Sequence, residues 1–266
     1  MSELLTKSQK KDVRSEYLVE RLTNTPDHNL FNFVKFNLVN DQIKKRFHVL
    51  PRVMDIGCGR QVAKRYLQSL NPELVYFGVD YEQSFEPDAV VDLNVPNALK
   101  DPIQWQPDVV MLLDVLEHLH EDINDLSAVI QNIAEAIPSH CVVVITLPQW
   151  YRLDCLKLSH LFYPEHKIRL TQGEWYGLLS KHFDIIESQG LGFLSVIPYL
   201  PMLSKKFTND NRLGRLFMHL RSKTFEKAWL KPVDLFLSRT LGKCWPFNKM
   251  TNDILFVAKP RHSNNI

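Results

Sequence analysis

Val53-Met54-Asp55-Ile56-Gly57-Cys58-Gly59-Arg60 reads as a short strand that ends near an acid, turns through Gly-x-Gly and passes into a helix. Neither glycine has a side chain in the way, so the backbone admits a nucleotide-like ligand at close range, and Gly57 and Gly59 are expected to line a cofactor. A dinucleotide fingerprint needs a third glycine at position 62, which is Val62. A pyrophosphate on the helix N-terminus is therefore disfavoured, and nicotinamide and flavin cofactors with it.

Asp80 closes the next β-rich run, Tyr76-Phe77-Gly78-Val79-Asp80, and lies 23 residues after Gly57, about the spacing at which an acid hydrogen-bonds ribose hydroxyls. Further out, β-rich runs at residues 53–56, 74–79, 89–92, 109–113 and 141–147 alternate with helical patterns. Strands joined by such crossovers imply a mainly parallel sheet with helices on both faces. Leu126, Val129, Ile130, Ile133 and Ile137 recur at helical spacing before Pro138, which predicts an amphipathic crossover helix. Thr171 and Glu174 form a T-x-x-E capping box ahead of Trp175, Leu178 and Leu179, so a further helix is expected there. Residues 183–188 and 254–258 supply two more strands.

Four segments carry a family resemblance: Asp55-Ile56-Gly57-Cys58-Gly59, Asp80-Tyr81, Val91-Asp92-Leu93, and the run from Asp108 to Leu113 with Asp114-Val115-Leu116-Glu117-His118-Leu119 behind it. In this order they resemble the motifs of class I S-adenosylmethionine-dependent methyltransferases, especially the small-molecule branch that includes the ubiquinone-biosynthesis O-methyltransferases. The match runs from about residue 53 to 193 and resumes at 252–259. It implies an α/β, Rossmann-like, seven-stranded and mainly parallel sheet with an antiparallel last strand. It also implies cofactor-binding roles: Asp55, Gly57 and Gly59 for the methionine part, Asp80 for the ribose, and Tyr81 beside the adenine. Asp92 and Leu93 would recognise the adenine amino group, and Leu113 and Asp114 of the fourth-strand motif complete the set. Gln61 departs from the family, standing where a third glycine of the turn is often found.

The chemistry of the donor agrees with that set. S-adenosylmethionine has no phosphate, so its pocket needs carboxylates for ribose and ammonium. Asp55, Asp80, Asp92 and Asp114 all fall at or just past expected strand C-termini, the edge where open α/β sheets bind ligands.

Methyl transfer is a displacement at a sulfonium carbon, so the protein chiefly aligns the nucleophile and needs a base only if the acceptor must lose a proton. His118 and Glu117 are the candidate catalytic residues, His118 as a base on the acceptor side. A sharper reading takes Asp114, Glu117 and His118, spaced i, i+3 and i+4, with His166 as a fourth ligand, for a metal site holding a divalent cation such as Mg²⁺ or Mn²⁺. That set resembles the E-x-x-E-H plus distant His of some ubiquinone O-methyltransferases and small-RNA 2′-O-methyltransferases, where the ion binds the acceptor oxygens. Asp114 has a shorter reach than the family's Glu. The plainer alternative is a packed or general-base His118 with Glu117 facing solvent. Cys58 reads as a small packing residue and His120 as a solvated neighbour, while Trp150, Tyr151, Phe162 and Tyr163 are candidate walls of the acceptor pocket.

Composition bounds the rest. With 266 residues, 45% hydrophobic and 23% charged, the chain can bury a full core, which excludes disordered, collagenous and disulfide-scaffold classes. Cys58, Cys141, Cys155 and Cys244 form no CxxC pair and read as reduced thiols. The charged N-terminus lacks the apolar core of a secretory signal and no stretch reaches the roughly 20 apolar residues of a spanning helix, so a cytoplasmic protein is expected.

Residues 1–50 read as an N-terminal helical extension with a turn at Thr25-Pro26-Asp27, 51–193 as the cofactor-binding core, 194–250 as an insert, and 251–266 as the last core strand and tail. The net charge of +2 is unevenly spread, with 11 Lys or Arg against 3 acids between Lys205 and Lys249. Leu213, Leu216, Phe217 and Leu220 repeat there at helical spacing, and a basic amphipathic helix of this kind suits an anionic membrane surface or an anionic partner, or equally a lid packed on the core with its basic face in solvent. The expected acceptor is a small molecule that is lipid-linked or otherwise anionic. Nucleic acid, as in a metal-assisted RNA 2′-O-methyltransferase, is the competing acceptor, but no RNA-binding module accompanies the core. A non-catalytic, cofactor-binding partner subunit is the alternative from another class.

Overall fold

In the computed structural model, which describes residues 30–150, 166–195 and 227–261, the opening octapeptide begins on β1 (Arg52–Ile56), a strand flanked on both sides. β2 (Val75–Asp80) and β4 (Val109–Leu113) pair with it in parallel. β3 (Ala89–Val90) lies outside β2, and β5 (Val142–Pro148) lies beyond β4. β7 (Asp253–Pro260) runs antiparallel between β5 and β6 (Phe183–Leu191). The order β3-β2-β1-β4-β5-β7-β6 is the seven-stranded, mainly parallel sheet with an antiparallel last strand that the resemblance implies.

Successive side chains of a strand point to opposite faces, and here both faces are covered. Met54, Ile56, Val110, Leu112, Val143, Ile145 and Phe256 enter one apolar cluster, while Val53, Val109, Met111, Val144, Leu255 and Val257 enter the other. Burial on both faces is why these strands read as continuous apolar runs rather than as an alternation. α3 (Ile123–Ala136) and α4 (Gln172–Leu179) cover the first face, bringing Leu126, Ile130 and Ile133 from α3 and the fully buried Trp175 from α4. Each such side chain contributes roughly 1.5–3 kcal/mol on burial. Asp122 caps α3 by accepting from the Asn124 and Asp125 amides. Both halves of the Thr171/Glu174 capping box are formed at α4.

The opposite face is covered by α1 (Leu30–Arg46), α2 (Val62–Leu70) and α5 (Leu230–Thr240). α1 is buried almost all round, including the polar Asn32, Lys35, Asn40 and Gln42, and it packs against α5. Arg239 of α5 grips Asp41 of α1 through Nε at 2.8 Å and Nη2 at 3.0 Å. The inner face of α5 is Leu230, Asp234, Leu235 and Ser238. Asp234 accepts from the backbone N–H groups of Leu194 and Ser195, which anchors the chain just after β6. The apolar residues Trp229, Val233 and Phe236 face outwards instead.

The expected polar helix before residue 30, the turn at Thr25-Pro26-Asp27, Tyr151, Cys155, Phe162, Tyr163 and the helical repeat Leu213–Leu220 lie outside the described residues. Among the described residues no helix is long and apolar enough to cross a membrane.

Candidate active site

The turn after β1 is built by hydrogen bonds to β2. The amides of Gly57 and Cys58 both donate to the Val79 carbonyl, at 2.8 and 3.0 Å. Gly57 has φ +75°, and a Cβ there would meet Val115 Cγ2 at 2.5 Å, so position 57 requires glycine twice over. Gly59 has φ +51°, but a Cβ would meet nothing within 4 Å. Gly59 is thus the open side of the turn. Gln61, in place of a third glycine, still adopts a left-handed conformation with φ 55°, and its side-chain amide donates to the Glu86 carbonyl. The turn keeps the conformation a glycine would favour, at some cost in backbone strain.

Asp55 is buried inside the sheet, where its Oδ2 accepts from the Tyr76 hydroxyl and its Oδ1 has no hydrogen-bond partner. Burial pushes the Asp55 carboxyl up to about 7, against the Tyr76 bond and the Lys35 ammonium, which pull it down. Asp80 ends β2 with Oδ2 accepting from the Gly59 amide at 2.8 Å and Oδ1 from the Glu82 amide at 3.0 Å. Each carboxylate oxygen has a second lone pair, so these bonds orient Asp80 without using up its capacity to accept. Tyr81 beside it is exposed. Asp92, exposed just past β3, turns its Oδ1 to both the backbone and side-chain N–H groups of Asn94 at 2.9 Å. Leu93 packs against the core. Leu113 ends β4, and Asp114 follows with φ 58°. The four acids therefore stand along the carboxyl edge of the parallel strands. Cys58 is buried and its thiol is pushed up by burial and by Asp55 and Asp80, which keeps it protonated as a packing residue would be.

Behind Asp114 the chain forms a short 3₁₀ turn, Leu116–His118. The Glu117 carbonyl accepts from the Lys167 amide at 2.8 Å, which docks residues 166–168 against this turn. His118 Nε2 then lies 3.8 Å and His166 Nε2 3.9 Å from Glu117 Oε1, with the two imidazole rings 4.9 Å apart. One ligand atom from each of the three residues falls within 4.8 Å of the others. Glu117 does not face solvent, contrary to the plainer alternative: it is fully buried and neither carboxylate oxygen has a hydrogen-bond partner. Burial above all, and then the Asp114 charge, hold its carboxyl well above the ordinary range.

Of the four expected metal ligands, the structure brings together Glu117, His118 and His166. Asp114 is engaged elsewhere: its Oδ1 accepts from Thr146 Oγ1 and its Oδ2 from Lys35 Nζ, both at 2.7 Å. The i, i+3, i+4 spacing presumed a helix, whereas here a left-handed residue at Asp114 is followed by a 3₁₀ turn. His120 is not part of the cluster. Sequence reasoning missed Lys35, Tyr76 and Thr146. For Lys35 the one available signal is a charged residue inside the apolar run from Leu30 to Leu38.

No family model matches the chain, and no curated protein sequence matches it. Solved structures do. An S-adenosylmethionine-dependent methyltransferase from Clostridium acetobutylicum ATCC 824 aligns with 92% of this chain and 97% of its own, at 11% identity and a TM-score of 0.50. Coclaurine N-methyltransferase, bound to N-methylheliamine and SAH, aligns over 86% of this chain and 72% of its own, at 10% identity and a TM-score of 0.50. The [4+2]-cyclase SpnF aligns over 87% and 82%, at 13% identity and a TM-score of 0.51. The fold is that of the class I S-adenosylmethionine-dependent methyltransferases. Likeness at this level concerns fold alone, and the cyclase illustrates that one fold hosts more than one chemistry.

Proposed function

We propose that the protein is an S-adenosylmethionine-dependent methyltransferase acting on an oxygen of its acceptor. The observation that carries this reading is the edge formed by Asp55, Gly59 and Asp80. It offers a buried carboxylate oxygen without a partner, an open backbone and a carboxylate already oriented by two amides. An adenosyl donor with a diol, an ammonium and a sulfonium, and no phosphate, matches those groups. When bound, S-adenosylmethionine supplies an electrophilic methyl group on its sulfonium. Asp80 accepts from the ribose hydroxyls, Asp55 balances the cationic end, and Gly57 keeps the turn closed over β2 while Gly59 leaves room for the ligand.

Glu117, His118 and His166 form the acceptor side. The set fits a divalent ion because Glu117 has two buried, unsatisfied oxygens and each histidine presents Nε2 towards one of them. Two imidazoles and one carboxylate suit Mn²⁺, Zn²⁺ or Fe²⁺ better than Mg²⁺, which prefers oxygen ligands. Such an ion, when bound, supplies a Lewis acid that lowers the pKa of an acceptor hydroxyl. Glu117 and the histidines hold it, and a His118 without metal is placed to take the acceptor proton itself.

The acceptor class is read from the insert. Trp229 at the start of α5, Phe236 within it and Trp245 beyond it are exposed, as are Lys227 and Lys249, which lie near Trp229 and Trp245 in the sequence. Exposed aromatics among lysines complement an anionic lipid surface, which supports a lipid-linked acceptor met at the membrane interface.

The test is transfer from labelled S-adenosylmethionine into lipid extract, small-molecule and RNA pools, each with and without chelator. Chelator-sensitive product in the lipid extract is expected. Product in RNA alone would favour the 2′-O-methyltransferase reading. Donor binding without product in any pool would favour a non-catalytic partner subunit.

A further inference from the structure

We propose that Lys35 is a positioning residue that withholds Asp114 from the Glu117–His118–His166 cluster, so that a divalent ion there takes three protein ligands and keeps coordination positions for the acceptor oxygen and water. This rests on the metal reading of the site given above and concerns how that site is kept open.

The ion pair is placed by the fold and not by local sequence. Lys35 lies on α1, 79 residues before Asp114, and its ammonium reaches Asp114 Oδ2 at 2.7 Å. Lys35 is only 6% exposed, with Nζ 4.7 Å from the centre of the Phe31 ring and 5.4 Å from that of Phe36. A lysine enclosed in this way is held by its counter-ion, because separating a buried pair strands a charge in an apolar setting. Thr146 Oγ1 holds the other oxygen of Asp114, so the carboxylate is gripped from two sides. The field of Lys35 also extends to Glu117 and Asp55.

Two consequences follow for an ion at the cluster. The Lys35–Asp114 pair is neutral as a unit, so Glu117 is the carboxylate that meets the ion, with two imidazoles. Three protein ligands are what an open, substrate-accepting site uses, whereas a full set of protein ligands makes a closed, structural one. His118, whose side chain is 37% exposed, marks the side from which an acceptor oxygen reaches the remaining positions. The departure from a Glu ligand to Asp114, together with a lysine from the N-terminal extension, thus forms one device.

The experiment is Mn²⁺ binding to chelator-stripped, full-length protein, read from the free-Mn²⁺ paramagnetic signal, with unfolding curves confirming that each variant folds. Lys35→Met is expected to tighten Mn²⁺ binding by about tenfold as Asp114 joins the ligands, since affinity follows ligand charge count. Lys35→Arg, which keeps the counter-ion, should behave as wild type, and Lys35→Met combined with Asp114→Asn should lose the gain. An unchanged affinity in Lys35→Met, or a gain that survives Asp114→Asn, overturns the proposal. Should Lys35→Met fail to fold, counting exchangeable waters on Mn²⁺ in the wild type decides: about three for an octahedral ion on three ligands, against about two if Asp114 is already a ligand. Equal, tight binding by wild type and Lys35→Met removes the role of Lys35 and leaves the metal reading standing. Mn²⁺ uptake by Lys35→Met but not by wild type overturns the proposal, because the three-ligand site would then hold no ion, and uptake by neither removes the metal reading with it.

Discussion

The Tyr76 hydroxyl donates to Asp55 Oδ2 within the sheet, between two adjacent parallel strands, and both side chains are buried. The bond occupies one oxygen of Asp55 and leaves Oδ1 without a partner beside the glycine turn. Burial outweighs Tyr76 and Lys35, so the acid titrates at about 7 in the folded protein. A group whose folded pKa exceeds its unfolded value binds more protons when folded, so Asp55 costs stability progressively as pH rises from about 4 to about 7.

A cationic donor near Asp55 favours its ionised form, so binding must expel the proton below that pKa. Donor affinity is expected to rise with pH up to about 7, by as much as about tenfold per unit, and to level off above it. Calorimetry in buffers of different ionisation enthalpy should register release of up to about one proton near pH 6. Asp55→Asn should flatten the profile and weaken binding. A wild-type affinity that does not change between mildly acidic and mildly alkaline buffer would place the donor's cationic end away from Asp55.

Gly57 and Gly59 make opposite demands on a methyl group. At position 57 alanine meets Val115 Cγ2 at 2.5 Å and also adopts a left-handed backbone. Strain of about 1–2 kcal/mol and overpacking of about 1–3 kcal/mol together lower stability by roughly 2–5 kcal/mol. At position 59 only the backbone term of about 1–2 kcal/mol applies, because the added methyl group enters open space. That space is where the donor approaches, so Gly59→Ala should lose more affinity than its stability loss accounts for. Urea midpoints read beside calorimetric affinities separate the two effects. Equal stability losses with unchanged donor binding would mean that the open side of the turn faces solvent only.

How much of this was legible in the sequence depends on the range of the interactions involved. Val109–Leu113 was readable as a strand because a strand buried on both faces is an unbroken apolar run. α3 and the capping box of α4 were readable because their signals lie within a few residues of one another. The acids on the carboxyl edge followed from strand ends. Glu117 and His166 meet through a backbone bond from Lys167, and Asp114 meets a lysine 79 residues earlier in the chain, and no local pattern encodes either contact. The spacing of Asp114, Glu117 and His118 suggested one helical face because the left-handed turn at Asp114 leaves no trace in composition. On α5 Asp234 and Ser238 occupy the inner face by bonding backbone groups there, while Trp229, Val233 and Phe236 stay exposed, an arrangement set by partners some forty residues away and not by local apolar content.

Glu117 carries an unsatisfied buried carboxylate, a feature better explained by ligand binding than by stability. Its folded pKa is raised, so its contribution to stability falls as pH rises above the ordinary carboxylate value. Glu117→Gln should therefore raise the thermal midpoint of metal-free protein at pH 8.5 and change it less at pH 5.5. The same variant, like His118→Ala and His166→Ala, should weaken Mn²⁺ binding by about tenfold or more. Thermal unfolding with and without Mn²⁺ provides both readings. If metal-free Glu117→Gln is the less stable protein at the higher pH, the buried acid has a structural role in place of a binding one.

Trp229, Val233 and Phe236 fall on one side of α5, and each is exposed, with Lys227 and Lys249 exposed in the same part of the chain. An apolar stripe among lysines gains from inserting its rings at the headgroup level while the ammonium groups meet anionic lipid. The protein should therefore sediment with vesicles containing phosphatidylglycerol and much less with phosphatidylcholine alone. Raising salt should weaken the association by screening, without abolishing the apolar part. Trp229→Ser with Phe236→Ser should reduce binding by about tenfold and leave the unfolding curve almost unchanged, because both side chains already face outwards in the folded state. Lys227→Gln with Lys249→Gln should lose mainly the preference for anionic lipid. Indifference to lipid charge, or retention of vesicle binding when both aromatics are replaced, would show that α5 does not present the membrane-facing surface.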